Sequence, residues 1–188
     1  NSQNTTYRFS VPDNIVSTRV VDIGEGVTKV KIGDNVILSW IKSQGISAEP
    51  AKYKFGKKII NSGRITTFSE FSVCSEDRCV ILRNVDAYKV GAALGCAIPT
   101  GYGLSITLKE LKNAEFVGIL GLGGIGMAAL MGIINETRAC VGVIDINRDR
   151  LNKALSLGAK YAFLPKTNVN LDQQILQKTG KLFDVIIE

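Results

Sequence analysis

A glycine run placed between two different periodicities constrains this chain more than any other feature. Phe116-Val-Gly-Ile-Leu120 is short and wholly apolar, the pattern of a strand buried on both faces. Gly121-Leu-Gly-Gly-Ile-Gly126 follows at once, and Met127 to Ile134 then reads as a small-residue, apolar helix. Strand and helix go on alternating. Cys140-Val-Gly-Val-Ile-Asp145 is a second buried strand, and Arg148 to Leu157 is an amphipathic helix closed by Gly158. Tyr161-Ala-Phe163 is a third strand, Leu171 to Lys178 a helix ended by Gly180, and Phe183 to Ile187 a fourth strand. This order predicts a parallel sheet with right-handed crossovers.

The spacing Gly-x-Gly-x-x-Gly carries a mechanism where it stands. Gly121 permits a tight turn, Gly123 lets the backbone approach a pyrophosphate, and Gly126 lets helix and strand pack closely. The N–H groups at the helix start, with the helix dipole, favour phosphate there. Leu122, Gly124 and Ile125 complete the turn that would line the pyrophosphate. Asp145 ends the next strand about 20 residues past the glycines, where an acid accepts hydrogen bonds from the adenosine ribose. Its charge would repel a 2′-phosphate, so NAD is expected over NADP. Arg148 and Arg150 follow it, and either is surface charge or a group able to reach a 2′-phosphate.

The first 90 residues read differently. Arg19 to Ile23, Val27 to Ile32, Val36 to Ile41, Phe68 to Val73 and Cys79 to Leu82 are short strand-like runs punctuated by Gly and Asp. They predict a barrel or sandwich of antiparallel strands. Residues 42–64 are polar and read as a long excursion. Near Asp86 the texture turns helical, through Ala87 to Leu94 and then Ala97 to Leu111, where Gly101 and Gly103 weaken the pattern.

Composition removes several chemistries. The 188 residues include no His, which excludes a Ser-His-Asp triad, a Cys-His dyad and any imidazole-bound metal. Of the four cysteines, only Cys74 and Cys79 are close in sequence, so neither a disulfide scaffold nor a four-thiolate zinc site is expected, and reduced thiols in the cytoplasm are. The net charge is +6, densest over Lys52, Lys54, Lys57, Lys58 and Arg64 with Tyr53 and Phe55 between them. A solvated loop is the preferred account, and no nucleic-acid partner is expected. No apolar run reaches the roughly 18 residues of a membrane span, and no signal peptide is visible.

Three groups of residues, in order, resemble the zinc-dependent alcohol dehydrogenases of the medium-chain dehydrogenase/reductase superfamily. They are Leu94-Gly-Cys-Ala-Ile-Pro-Thr-Gly-Tyr-Gly103, Val117 to Gly126, and Val143-Ile-Asp-Ile-Asn147. Val21 to Val27, Lys31 to Val36 and Thr66-Thr-Phe-Ser-Glu-Phe71 resemble that family's barrel segments. The resemblance implies a partial GroES-like β-barrel catalytic domain over residues 1–95. A connecting helix and the first half of a Rossmann domain would occupy 96–188. It also implies hydride transfer between an alcohol and NAD, with zinc polarising the oxygen in the intact parent protein. By motif, Cys96 matches a catalytic zinc ligand, Thr100 a residue against the nicotinamide, and Asp145, Ile146 and Arg150 the ribose side. An alcohol, aldehyde or ketone would be the substrate, and a homodimer or homotetramer the assembly of the parent.

The sequence also departs from the family. Its other zinc ligands are a Cys and a His, the latter in a Gly-His-Glu motif whose place is taken here by Pro12 to Thr18, with Asn14 the nearest equivalent. One thiolate cannot hold a catalytic zinc that takes three protein ligands, so none is expected in the chain as written. Only the first half of a six-strand sheet is present, so the chain is expected to be the central portion of a longer enzyme and inactive alone. Two alternatives stand beside this. One is a non-catalytic nucleotide-binding module or pseudoenzyme, and the other a zinc-free quinone or enone reductase of the same superfamily.

Overall fold

The structure, a computed structural model, describes residues 8–10, 17–61, 63–67, 69–165 and 170–188, with 8–10 and 85–89 described by backbone alone. It divides into two compact units, Asn1–Cys96 and Ala97–Glu188. Asn14 and its neighbours 11–16 lie outside the described residues, as does residue 68.

The first unit is built of β1 (Arg8–Ser10), β2 (Ser17–Asp22), β3 (Asn35–Leu38), β4 (Lys52–Phe55), β5 (Lys58–Asn61), β6 (Phe71–Ser72) and β7 (Cys79–Ile81), then α1 (Val85–Gly95). Five strands form a sheet in the order β6-β1-β2-β3-β7, each pair antiparallel. Val20, Val36 and Leu38 from its strands pack with Val30, Cys74 and Cys79 into a small core.

Three expectations change here. Val27 to Ile32 is not a strand. Two of its backbone groups bond a distant side chain instead: the N–H groups of Thr28 and Lys29 donate to Glu76 Oε1 over 2.8 and 2.5 Å. Ile46 N–H donates to Oε2 over 2.8 Å, so one buried carboxylate gathers two loops that no ladder joins. The excursion at 42–64 contains the separate hairpin β4–β5, turned at Gly56 with φ +60. All eight of its strand residues are exposed, so no buried face imposed an alternation that could be read. The strand expected over Phe68 to Val73 is only β6.

The second unit holds α2 (Ala97–Thr107), α3 (Lys109–Asn113), β8 (Phe116–Leu120), α4 (Gly124–Glu136), β9 (Cys140–Ile144), α5 (Arg148–Ser156), β10 (Tyr161–Phe163), α6 (Leu171–Thr179) and β11 (Val185–Ile187). The single helix expected over Ala97 to Leu111 is two. Thr107 Oγ1 donates back to the Gly103 carbonyl over 2.8 Å, and Leu108 takes an extended ψ of 114. Gly101 has a use that helix propensity hides. A Cβ there would overlap the Ile125 carbonyl oxygen of α4, and one at Gly132 would lie 3.0 Å from the Tyr102 backbone. The two glycines let the backbones of α2 and α4 touch.

The four strands are parallel, in the order β10-β9-β8-β11. Counted along this unit the order is 3-2-1-4, so the connections reverse between β8 and β11. In open parallel sheets, ligands bind at such a switch point, beyond the carboxyl ends of the strands. One face of the sheet packs Val117, Ile119, Val141 and Val143 against Leu130 and Ile133 of α4. On the other, Gly118 and Gly142 are directly paired, and the ring of Phe183 lies over both. A Cβ at either glycine would come within 2.6 Å of that ring, which also tilts against Phe116 with centroids 4.5 Å apart.

Candidate functional site

The Gly121–Gly126 turn sits at the carboxyl end of β8, beside the switch point. Three of its four glycines are glycine for different reasons. Gly121 has φ +87, a left-handed value that L side chains rarely take, and its N–H donates to the Ile144 carbonyl over 2.8 Å. Gly126 admits no side chain, since a Cβ would overlap the Gly121 carbonyl oxygen. Gly123 differs from both. Its φ of −71 suits any residue, and a Cβ there would meet no atom within 4 Å. The fold does not require glycine at that position.

The helix start behind the turn is open. Gly123 caps α4 with no side-chain hydrogen bond, and the first turn carries no acidic residue. The N–H groups of a helix's first turn have no intrahelical acceptor. By contrast α5 and α6 are closed by Asn147 and Asn170, whose side chains accept from their first-turn N–H groups. The N-terminus of α4, beside the glycine turn, is open where those of α5 and α6 are closed, and it carries partial positive charge from the helix dipole.

Asp145 follows β9 and is buried, with 6% of its surface exposed. Its Oδ2 accepts the Leu122 N–H over 2.6 Å and its Oδ1 the Asn147 N–H over 2.7 Å. Asn147 Oδ1 in turn caps α5 through Asp149 and Arg150 N–H. Burial pushes the Asp145 carboxyl upward. The N–H groups of Leu122 and Asn147, the Arg150 guanidinium and the Ile146 N–H outweigh it, so the group stays below the ordinary carboxylate value. Arg150 Nη1 lies 3.9 Å from Oδ2 with its side chain half exposed.

The remaining expected residues fall into two places. Ile125 is 45% exposed on the first turn of α4, and Ile146 is 85% exposed just past Asp145, an apolar side chain left in solvent at the strand end. Leu122 has its side chain in the core, so only its backbone belongs to the turn. Thr100 is exposed on the first turn of α2. Cys96 is an exposed free thiol in the turn before α2, at the end of the first unit. Among the described residues no group of three or more Cys, Asp or Glu could hold a metal ion, so the residues described do not make up a catalytic zinc site around Cys96. Among them, too, no helix is long and apolar enough to cross a membrane.

Sequence reasoning missed the bond between Leu122 and Asp145 and the capping by Asn147. An Asn two residues after a strand-end Asp and just before a helical run was the available signal for the cap.

No protein-family model matches the chain. Solved structures do. A zinc-dependent alcohol dehydrogenase from Streptococcus pneumonia, in its apo form, is 20% identical with a TM-score of 0.70, over 100% of this chain and 62% of that one. Benzyl alcohol dehydrogenase from Acinetobacter calcoaceticus is 22% identical with a TM-score of 0.69, over 94% of this chain and 54% of its own. 2R,3R-butanediol dehydrogenase from Bacillus subtilis is 19% identical with a TM-score of 0.65, over 99% and 63%. The sequence resemblance to zinc-dependent alcohol dehydrogenases is thus matched by a shared dehydrogenase-type fold, and this chain spans 54–63% of the length of these three structures.

Proposed function

We propose that this chain is the nucleotide-binding part, with an adjoining piece of the catalytic part, of an NAD-dependent alcohol or polyol dehydrogenase. In this view the parallel sheet is the first half of a Rossmann domain and the antiparallel sheet part of a GroES-like barrel. Residues 1–95 and 96–188 are the corresponding domains. The carrying observation is Gly123: a glycine the fold does not need, at an uncapped helix start beside a switch point.

The residues suit a dinucleotide. Gly121, Gly123, Gly124 and Ile125 would take the pyrophosphate through backbone N–H groups, with Leu122 holding the turn to Asp145. Asp145 has spare lone pairs for the ribose hydroxyls, and its negative charge disfavours a 2′-phosphate. Ile146 would lie against the adenine side and Arg150 near the ribose. Thr100 would flank the nicotinamide. When bound, NAD supplies the hydride acceptor, while the chain's own groups bind and orient it. The substrate would be an alcohol or its carbonyl partner, in a homodimer or homotetramer, in the cytoplasm. Cys96 matches a zinc ligand in the family's motif. The described residues do not complete a zinc site, and no step is assigned to a metal.

Titration of the chain with NAD and NADP tests this. Saturable NAD binding, tighter than NADP, is expected. Gly123→Ala should unfold within about 0.5 kcal/mol of wild type yet bind NAD at least ~10-fold more weakly, roughly 1.4 kcal/mol. Wild-type affinity in Gly123→Ala, or no binding of either dinucleotide to the parent chain, would overturn the proposal.

A further inference from the structure

The dinucleotide site leaves one pair of chemically capable side chains unused. Cys74 and Cys79 flank the 3-10 turn Glu76–Arg78 of the first unit, and their Sγ atoms lie 3.7 Å apart as free thiols. Both are buried, at 5% and 0% exposure. Cys74 also lines a cavity of about 440 Å³ together with Val73, Ser75, Arg64 and Tyr53. The pair is thus screened from large reagents, and the cavity reaches one member of it.

We propose that Cys74 and Cys79 form an oxidation site, in which a small hydroperoxide converts Cys74 to a sulfenic acid and Cys79 resolves it to an intramolecular disulfide. In the first step the Cys74 sulfur, having given up its proton, attacks a peroxide oxygen. The O–O bond breaks, and hydroxide leaves to be protonated as water. In the second step the Cys79 sulfur attacks the Cys74 sulfur, the S–O bond breaks and a second water leaves. The pair loses two electrons and two protons, and one hydrogen peroxide becomes two waters.

Geometry favours the second step over further oxidation. A sulfenic acid meets its resolving thiol at contact distance, with no backbone excursion through solvent. The residues between the thiols are themselves anchored. Glu76 is held by three backbone N–H groups, and Asp77 accepts from Ser75 Oγ over 2.5 Å. The cysteines are therefore kept in register by contacts that do not involve sulfur. The Cys79 hydrogen bond, burial, and the nearby Cys79 and Asp77 charges push the Cys74 thiol far above its ordinary range, with Arg78 opposing. The first step is consequently slow.

The test needs no variant. The reduced full chain is treated with hydrogen peroxide, quenched by alkylation in denaturant, and read by intact mass and peptide mapping. Loss of two of the four alkylatable thiols, a mass lower by two hydrogens, and a linked Cys74–Cys79 peptide reversed by dithiothreitol are expected. Exposed Cys96 serves as the internal comparator. Oxidation confined to Cys96, or sulfinic acid at Cys74 without a link to Cys79, would overturn the proposal. Cys79→Ser should leave a Cys74 sulfenic acid that dimedone traps. If that variant does not fold, the wild-type peptide map alone decides.

Discussion

Leu122 gives its backbone N–H to Asp145 Oδ2 over 2.6 Å, tying the glycine turn after β8 to the residue that follows β9. The acid is therefore part of the turn's own structure as well as a candidate ribose contact. Its second oxygen, through Asn147, also fixes the start of α5. A change at Asp145 should consequently be felt twice, in stability and in nucleotide preference.

Asp145→Asn keeps one acceptor oxygen and turns an NH₂ group toward an N–H donor. A loss of about 1–3 kcal/mol of stability is expected from that mismatch. The difference between NAD and NADP affinity should also narrow, because the charge that repels a 2′-phosphate is gone. Thermal melts and paired titrations measure both. An unchanged NAD-to-NADP ratio would remove Asp145 from the specificity role.

Phe183 and the glycine pair beneath it should behave as one unit. Phe183→Ala should cost roughly 2–4 kcal/mol, a little under the figure for a fully buried ring. Gly118→Ala should cost about 1–3 kcal/mol by forcing the ring off the sheet. Combined, they should cost less than their sum, because the added methyl then has space. Denaturant unfolding of the three variants checks this, and strict additivity would separate the positions.

Acid should loosen the first unit through Glu76. Burial raises its carboxyl, but the N–H groups of Ile46, Lys29 and Thr28, and the Lys29 charge, bring it below the ordinary value. A depressed folded-state pKa contributes stability that is fully present above the unfolded value, near 4.3. It is lost as pH falls from there through the folded value. Unfolding free energy should therefore decline below about pH 4.3. Glu76→Gln should flatten that decline and lower stability at neutral pH, since its NH₂ group cannot accept from N–H donors. An acid limb as steep in Glu76→Gln as in wild type would place the titration elsewhere.

The parallel half of the fold was readable because its strands are buried on both faces and its helices on one. Phe116–Leu120 and Cys140–Ile144 announce themselves as unbroken apolar runs, Gly121 marks where the first of them turns, and Gly158 marks the end of α5. In the first unit the signals fade, since within Val27 to Ile32 the Thr28 and Lys29 N–H groups bond a carboxylate 48 residues beyond Thr28. Local pattern carries no trace of such a partner. The β4–β5 hairpin has no buried face to create a period. At the candidate site, the glycines and Asp145 were legible from spacing. The difference between Gly123, free of neighbours, and Gly126, jammed against a carbonyl, needed coordinates.

The contact of Gly101 with Gly132's helix has a mechanical side. Thr100 stands one residue before Gly101, on a helix pressed backbone to backbone against α4, whose first turn begins at the glycine loop. Two absent methyl groups act as the machining tolerance of that joint. A shim as small as one methyl at Gly101 would cant α2 away from α4 and carry Thr100 with it, and in the dinucleotide site proposed above that would detune the alignment of the ligand's two ends without touching either.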